Sequence, residues 1–270
     1  MLRTRLLTAA VLIPIAIGSI YLGSLPLLAL AALLLTLAEI EFCRLMARDG
    51  FRPAYPFGIG LLWLLLLDAQ RPDWGLLKPG LTLILLVSLA WQLFHRQRYP
   101  VADWAMTVVG GLYLGLCGAC IISLRAMPLD GLWWTLTALP AIMLADTSAF
   151  FIGRALGRHK LAPTLSPGKT WEGYVAGVLL STPLTALLAA FWHRYAGIES
   201  TIGWQHGLIL GLIIAAIAPL GDLAVSMVKR QVGAKDTGTI IPGHGGALDR
   251  VDSILWAGVI GYYYVSWFTR

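Results

Sequence analysis

The chain has 270 residues, of which 58% are hydrophobic and only 13% are charged, and its formal net charge is +6. Soluble domains are typically about 45 to 50% apolar and about 25% charged, so this composition excludes an ordinary soluble enzyme. A transmembrane β-barrel is excluded too, because barrel strands are about 10 residues long and the uncharged runs here approach the roughly 20 residues of a membrane helix.

The uncharged runs predict an all-α fold, a polytopic transmembrane helical bundle of about nine spans. Charged, proline and glycine residues separate the runs from one another. We expect the first run to be a retained helix rather than a cleaved signal, because no convincing small-x-small cleavage pattern follows it. The predicted spans are 6–22, 25–46, 57–67, 80–94, 105–124, 132–151, 173–192, 208–228 and 253–268.

The basic residues predict an N-in, C-out orientation, because cytoplasmic loops carry an excess of Lys and Arg. Fifteen of the 20 Lys and Arg lie in the segments that this topology places inside. We therefore expect an integral protein of the cytoplasmic (inner) membrane with its polar loops in the cytoplasm. Residues 1–124 are predicted to be N-terminal membrane helices and 125–270 the catalytic region of one integral membrane unit.

Few ionisable groups interrupt the N-terminal helices. Glu39 and Glu41 lie in the second predicted span, and Glu41 can pair with Arg44 at spacing i, i+3, which favours a structural role. Cys117 and Cys120 lie in a run with several glycines. Because thiolates in hydrocarbon are costly, we interpret this run as a small-residue packing surface rather than a redox or metal site.

Two aspartates lie inside apolar spans of the second half, Asp146 and Asp222. A carboxylate near the middle of a membrane helix costs at least about 2.5 to 3.5 kcal/mol, so it normally faces a polar cavity and has a partner. Metal coordination would supply that partner, and a structural ion pair is the alternative. Pro219 and Gly221 beside Asp222 strengthen the functional interpretation, because they loosen the helix.

The loop before the seventh span reads Ser166-Pro167-Gly168-Lys169-Thr170-Trp171-Glu172-Gly173. Backbone amides at a helix N-terminus, a lysine and two hydroxyls make a phosphate cradle plausible. An ordinary capped start of a membrane helix with an interfacial Trp explains the same residues equally well.

The densest polar segment is 226–252, between the last two spans. Its basic residues, glycines and carboxylates are those of a phosphate and metal site. Ser226, Lys229 and Arg230 follow Asp222 at i+4, i+7 and i+8, so on a helix they share its face. Asp249 and Asp252 are spaced i, i+3; a solvated first turn of the last helix is the alternative for them.

This segment resembles the defining motif of the phosphatidate cytidylyltransferases, also called CDP-diglyceride synthases. The loop 166–173 is similar to that family's second loop, and the resemblance extends from Asp146 to the C-terminus. The residues that carry the motif are Ser226, Lys229, Arg230, Lys235, Asp236, Pro242, His244, Gly245, Gly246, Asp249, Arg250 and Asp252.

The resemblance implies that CTP and phosphatidate react to give CDP-diacylglycerol and pyrophosphate, with Mg²⁺ as cofactor and a second cation left open. It also implies a homodimer in a lipid bilayer and no nucleic-acid partner. Asp222 and Asp249 would ligate the metal, with Asp146 and Asp252 in support, and Lys229 and Arg230 would act in catalysis. The substrate-binding residues would be Ser166, Lys169, Thr170, Ser226, Lys235, Asp236, His244, Gly245, Gly246 and Arg250.

Three alternatives belong to other classes. A CTP-dependent polyprenol kinase would share the nucleotide but release CDP. A CDP-alcohol phosphotransferase would carry an Asp-Gly-x2-Ala-Arg-x8-Gly-x3-Asp-x3-Asp pattern, which this sequence does not contain. A transporter would show broken-helix symmetry between its halves, whereas the polar residues here cluster towards one predicted membrane edge.

Overall fold

The computed structural model describes residues 2–95, 98–197, 199–240 and 245–269. In these residues it contains ten α-helices, one short 3-10 helix (Pro72–Trp74) and one β-hairpin. The hairpin strands are β1 (Lys160–Ala162) and β2 (Ser166–Thr170). The helices are α1 (Leu2–Leu22), α2 (Ser24–Arg48), α3 (Tyr55–Gln70), α4 (Leu77–Phe94), α5 (Pro100–Ala126), α6 (Gly131–Leu156), α7 (Trp171–Ala196), α8 (Trp204–Ile217), α9 (Pro219–Gln231) and α10 (Leu248–Phe268).

Within the described residues, six helical segments are long and apolar enough to cross a membrane. The chain is therefore a helical integral membrane protein, as the composition predicts. Two further apolar helices are shorter, Ala10–Leu22 and Tyr55–Gln70. The six segments are Ser24–Arg48, Leu77–Phe94, Pro100–Ala126, Gly131–Leu156, Trp171–Ala196 and Trp204–Gln231.

The predicted span 208–228 is not one regular helix. The structure divides it into α8 and α9 at Ala218, immediately before Pro219. Proline has no backbone N–H and therefore breaks the hydrogen-bond ladder, while its fixed φ suits the first position of a new helix. The Tyr174 hydroxyl donates to the carbonyl of Ala216 at 2.7 Å, which satisfies one carbonyl at the end of α8. Asp222 thus lies in the first turn of α9.

The loop before α7 contains regular structure that the all-α prediction omits. Strands β1 and β2 are antiparallel, with Lys160 opposite Thr170 and Ala162 opposite Ser166. Thr170 ends β2 and is the N-cap of α7, where its side chain accepts a hydrogen bond from the N–H of Gly173 at 3.2 Å. The capped helix start predicted for this loop is confirmed.

The chain divides into two compact units, and α9 and α10 each contribute to both. The first unit comprises Met1–Ser123 and Val228–Val251. In it, α5 lies against α3 through glycines: a Cβ on Gly111 would lie 2.5 Å from the carbonyl oxygen of Gly58, and one on Gly115 would lie 3.0 Å from the Leu62 Cα. These contacts confirm the packing surface predicted for this part of α5.

The second unit comprises Leu124–Met227 and Asp252–Arg270. Helices α6, α7 and α8 pack against one another in it, and strand β2 lies against α6 and α7. The core of this unit includes the fully buried Trp134, which has an edge-to-face ring contact with Tyr264, and the fully buried Leu210. The polar segment Val228–Val251 belongs to the first unit. The predicted catalytic region 125–270 stays a prediction.

Candidate active site

The first unit contains a buried ion pair between Lys229 and Asp249. Lys229 lies in the last turn of α9 and Asp249 in the first turn of α10. The Nζ atom of Lys229 is 2.6 Å from Oδ1 of Asp249, and the two residues are 7% and 8% exposed. A cation held this deeply requires its partner, so the pair fixes the position of the ammonium group.

The second oxygen of Asp249 organises the surrounding backbone. Oδ2 accepts from the N–H of Thr237 at 2.8 Å and from the N–H of Gly246 at 3.2 Å, and it lies 3.0 Å from the Thr237 hydroxyl oxygen. Burial opposes ionisation of Asp249, which precedes the predicted span, but hydrogen bonds from Lys229, Thr237 and Gly246 and the charge of Lys229 hold its pKa below the usual range. The solvated first turn considered for Asp249 is excluded by this burial.

Glu41, from α2, belongs to the same cluster. Its Oε2 accepts from the Thr237 hydroxyl at 2.8 Å and from the N–H of Leu248 at 3.0 Å. The expected i, i+3 pair with Arg44 is wrong, because Glu41 is 1% exposed whereas Arg44 is exposed. Sequence spacing could not reveal these contacts, because Thr237 and Leu248 lie about 200 positions further along the chain.

Two glycines make room for the Glu41 carboxylate. A Cβ on Gly238 would overlap Oε1 of Glu41, and a Cβ on Gly246 would overlap Oε2. Any larger residue would collide with the carboxylate or with Thr237. Gly245 has φ +81°, a conformation that L side chains rarely adopt. The glycines of this segment therefore serve close packing and backbone geometry.

Polar side chains around this buried cluster are open to solvent. Lys235, Asp236 and Arg250 are exposed. The Arg230 guanidinium donates to the carbonyl of Ala234 at 3.0 Å, which secures the turn after α9. Exposed lysine and arginine side chains beside a buried ion pair are suited to bind the phosphates of a ligand that approaches from solvent.

The second unit contains a second, more accessible ion pair. The Nζ atom of Lys169, on β2, is 2.7 Å from Oδ2 of Asp222, on α9. The two side chains are 24% and 31% exposed. Ser226, one turn after Asp222, donates weakly to Oδ1 of Asp222 at 3.4 Å. The hairpin thus brings Lys169, a predicted phosphate-binding residue, into contact with Asp222, a predicted metal ligand. The sequences of the loop and of the helix do not predict this contact.

The hairpin is held against α6 and α7 by small residues. A Cβ on Gly153 would lie 2.9 Å from the Thr170 hydroxyl oxygen, so the glycine leaves space for the capping threonine. Ser166, the first residue of β2, is half-buried opposite Ala162. Thr170 is buried and acts as the helix cap, and the substrate contacts predicted for Ser166 and Thr170 stay predictions.

Comparison with known proteins identifies the family to which the chain belongs. The model of the "Cytidylyltransferase family" matches residues 3–268. The chain belongs to this family. A phosphatidate cytidylyltransferase from Bacillus subtilis (strain 168) is 28% identical over 272 residues, covering 99% of each chain. One from Synechocystis sp. is 32% identical over 292 residues, covering 97% of this chain and 95% of its own.

A shorter and stronger similarity is found with the phosphatidate cytidylyltransferase of Haemophilus influenzae (strain ATCC 51907 / DSM 11121 / KW20 / Rd). It is 43% identical over 130 residues, which is 47% of this chain and 43% of its own. The first two relatives cover nearly the whole sequence. The similarity to this family therefore extends over the N-terminal helices, including α2, which contains Glu41.

The predicted metal ligands of this cytidylyltransferase occupy different surroundings. Asp146 is exposed on α6. Asp252 is 8% exposed, and its Oδ1 accepts from the N–H of Ser253 at 2.6 Å. Both oxygens of Asp249 already have protein partners. In the described part of the chain, no three His, Cys, Asp or Glu side chains are grouped so as to hold a metal ion.

One predicted substrate-binding residue, His244, lies outside the described residues, as does Pro242. Its role stays a prediction. Gly245 and Gly246 lie within them: the N–H of Gly246 donates to Asp249, and a Cβ on Gly245 would lie 3.0 Å from Oδ2 of Asp249. Of the predicted set in this segment, Lys229, Gly246 and Asp249 meet in one buried cluster, whose other members, Glu41 and Thr237, sequence reasoning missed.

Proposed function

We propose that the protein is a phosphatidate cytidylyltransferase, which converts CTP and phosphatidate into CDP-diacylglycerol and pyrophosphate. The observation that carries this proposal is the similarity to phosphatidate cytidylyltransferases over nearly the whole chain. The two lysine–aspartate pairs support it, because both hold cations in the segments that form the family-like motif.

The reaction joins two anions. A phosphate oxygen of phosphatidate attacks the α-phosphorus of CTP, and the bond from that phosphorus to the bridging oxygen of the β-phosphate breaks as pyrophosphate leaves. Phosphate monoesters have a second pKa near about 6, so the nucleophile is largely ionised at neutral pH and needs no strong general base. Catalysis must then come from positioning and from neutralisation of charge.

The lysines supply that neutralisation. Lys229 is held by Asp249 in a buried environment, where an oriented cation stabilises developing negative charge without prior reorganisation. Lys169 is more accessible and can exchange its contact with Asp222 for a substrate phosphate. We assign nucleotide or lipid phosphate binding to the remaining basic and polar residues of the motif, which are Arg230, Lys235, Asp236, His244 and Arg250.

We also propose Mg²⁺ as cofactor, with Asp222 as the principal protein ligand. Mg²⁺ is usually bound through one or two carboxylates plus substrate phosphates and water rather than by an all-protein cage. Asp222 fits this mode, because its side chain is 31% exposed and an ion could therefore reach its carboxylate from outside. When bound with CTP, the ion would neutralise phosphate charge. Asp146 and Asp252 are the proposed supporting carboxylates, whereas Asp249 would first have to release Lys229 or Thr237.

We propose nine spans, with the N-terminus and the active site on the cytoplasmic side of the inner membrane. This count treats α8 and α9 as one broken span and includes α1, α3 and α10. A contact within the first unit supports the placement of two of these polar segments on one side of the membrane, because the Gln231 side chain donates to Asp49 at 2.6 Å. The side itself is proposed from the excess of Lys and Arg in these segments. Cytoplasmic exposure would give the site access to CTP. A homodimer in the lipid bilayer completes the proposal.

Product analysis tests the function directly. Purified protein in lipid nanodiscs is incubated with CTP, Mg²⁺ and phosphatidate, and pyrophosphate, CDP and lipid products are measured. We expect equal amounts of pyrophosphate and CDP-diacylglycerol. Release of CDP with phosphorylation of a polyprenol acceptor would instead indicate the kinase, an alternative that the curated relatives do not favour.

A further inference from the structure

The buried cluster around Asp249 includes the carboxylate of Glu41, to which the proposed reaction assigns no role. Glu41 belongs to α2, in the N-terminal helices, and is 1% exposed. In the described part of the chain, no lysine or arginine lies within ion-pair distance of it. Burying a carboxyl group without a cation is costly, so the contacts that it does make should have a specific use.

Those contacts lead to the buried ion pair in two steps. Oε2 of Glu41 is 2.8 Å from the Thr237 hydroxyl, and Thr237 donates through its N–H to Asp249 at 2.8 Å. Asp249 in turn holds Lys229 at 2.6 Å. Each of these four residues is 8% exposed or less, so water cannot readily replace a lost contact.

A second contact fixes the start of α10. The N–H of Leu248 donates to Oε2 of Glu41 at 3.0 Å, and Leu248 directly precedes Asp249. The first N–H groups of a helix have no intrahelical acceptor, so Glu41 acts as a cap supplied by a different helix. Glu41 therefore constrains the position of Asp249 in two ways, through the side chain of Thr237 and through the backbone N–H of Leu248.

We propose that Glu41 is a positioning residue for the cytidylyl transfer, which aligns Lys229 through Thr237 and Asp249. This inference rests on the proposed function. Because Oε2 accepts two hydrogen bonds, the position requires an acceptor of glutamate length rather than a negative charge. Glu41→Gln should therefore preserve the function. Glu41→Leu removes the acceptor, and Glu41→Asp moves it away from Thr237 and Leu248 because the side chain is shorter.

The test compares the turnover of Glu41→Leu, Glu41→Gln and wild type in nanodiscs, with folding checked by thermal unfolding. A displacement of about 1 Å near the reacting groups can cost on the order of 100-fold in rate. We expect Glu41→Leu to lower kcat about 10- to 100-fold and Glu41→Gln to remain within about threefold of wild type. Glu39→Leu is the matched control, because Glu39 lies in the same helix, is also buried and contacts Cys43 rather than the cluster.

A double-mutant cycle with Thr237→Val separates positioning from general destabilisation. Because Glu41 acts partly through the Thr237 hydroxyl and partly through the Leu248 N–H, Glu41→Leu should cost less in the Thr237→Val background than in wild type. Should Glu41→Leu not fold, Glu41→Asp takes its place in the cycle. Wild-type turnover in Glu41→Leu, or losses that multiply fully in the double variant, would overturn the inference. An inactive wild type would instead refute the proposed function.

Discussion

The Lys229 ammonium lies 2.6 Å from the Asp249 carboxylate, and both residues are almost completely buried. A buried ion pair of this kind contributes less to net stability than its short distance suggests, because both charges lose their hydration. The main effect of the ion pair is to hold the Lys229 cation at a defined position. Its removal should therefore affect stability and catalysis in separable ways.

Replacing Lys229 by Met should destabilise the protein by about 3 to 5 kcal/mol, because Asp249 is left as an uncompensated buried charge. Chemical unfolding in detergent measures this free energy. Lys78→Met is the matched control, because Lys78 is exposed at the start of α4 and its replacement should change stability by less than about 0.5 kcal/mol.

The double variant Lys229→Met, Asp249→Asn tests the catalytic part of this assignment. Asparagine removes the uncompensated charge and retains an acceptor for Thr237, so much of the lost stability should return. Turnover should not return, because the buried cation is absent. Recovery of turnover together with stability would remove Lys229 from catalysis.

Replacing Asp222 by Asn should leave a folded, membrane-inserted protein with negligible cytidylyl transfer. Asp222 is partly exposed, so its loss costs little packing, but Lys169 and the proposed cation lose their carboxylate partner. We expect turnover to fall by about 100-fold or more, equivalent to roughly 2.7 kcal/mol of transition-state stabilisation. Asp73→Asn, at an exposed position of the 3-10 helix, is the control. Near-normal turnover of Asp222→Asn would remove Asp222 from the site.

Removal of divalent cations should abolish turnover. EDTA treatment of the wild type, followed by addition of Mg²⁺, is expected to eliminate and then restore pyrophosphate release. The reason is that the lysines alone leave much of the triphosphate charge unneutralised. Full activity in excess EDTA would contradict the metal assignment while leaving the ion pairs unaffected.

The orientation can be tested with single cysteines introduced into a variant without the native Cys43, Cys117 and Cys120. A cysteine at Lys235 should react with a membrane-impermeant thiol reagent in inside-out vesicles and be protected in right-side-out vesicles. A cysteine at Asp73 should show the opposite pattern. Labelling of Lys235→Cys in right-side-out vesicles, with protection in inside-out vesicles, would reverse the proposed topology.

Much of this architecture follows from the sequence, because membrane helices are encoded locally by long apolar runs. The pattern also predicted Lys229, Asp249 and Gly246 as site residues, because glycines and charges are concentrated in one segment, and the structure places these three residues in one buried cluster. Glu41 was misinterpreted because its partners are remote and Arg44 offered a plausible local pair. Thr237 carried no recognisable signal. The contact between Lys169 and Asp222 depends on the hairpin and on the break at Pro219, and only their folded arrangement brings the two residues together.

The fate of two labels shows whether the protein transfers the cytidylyl group of CTP to phosphatidate. Parallel reactions contain CTP labelled with ³²P at either the α- or the γ-phosphate, and the extracted lipid is counted. We expect label in the lipid from α-labelled CTP only, with the γ-label recovered as pyrophosphate. Label in the lipid from γ-labelled CTP, or no label in lipid from either nucleotide, would contradict it.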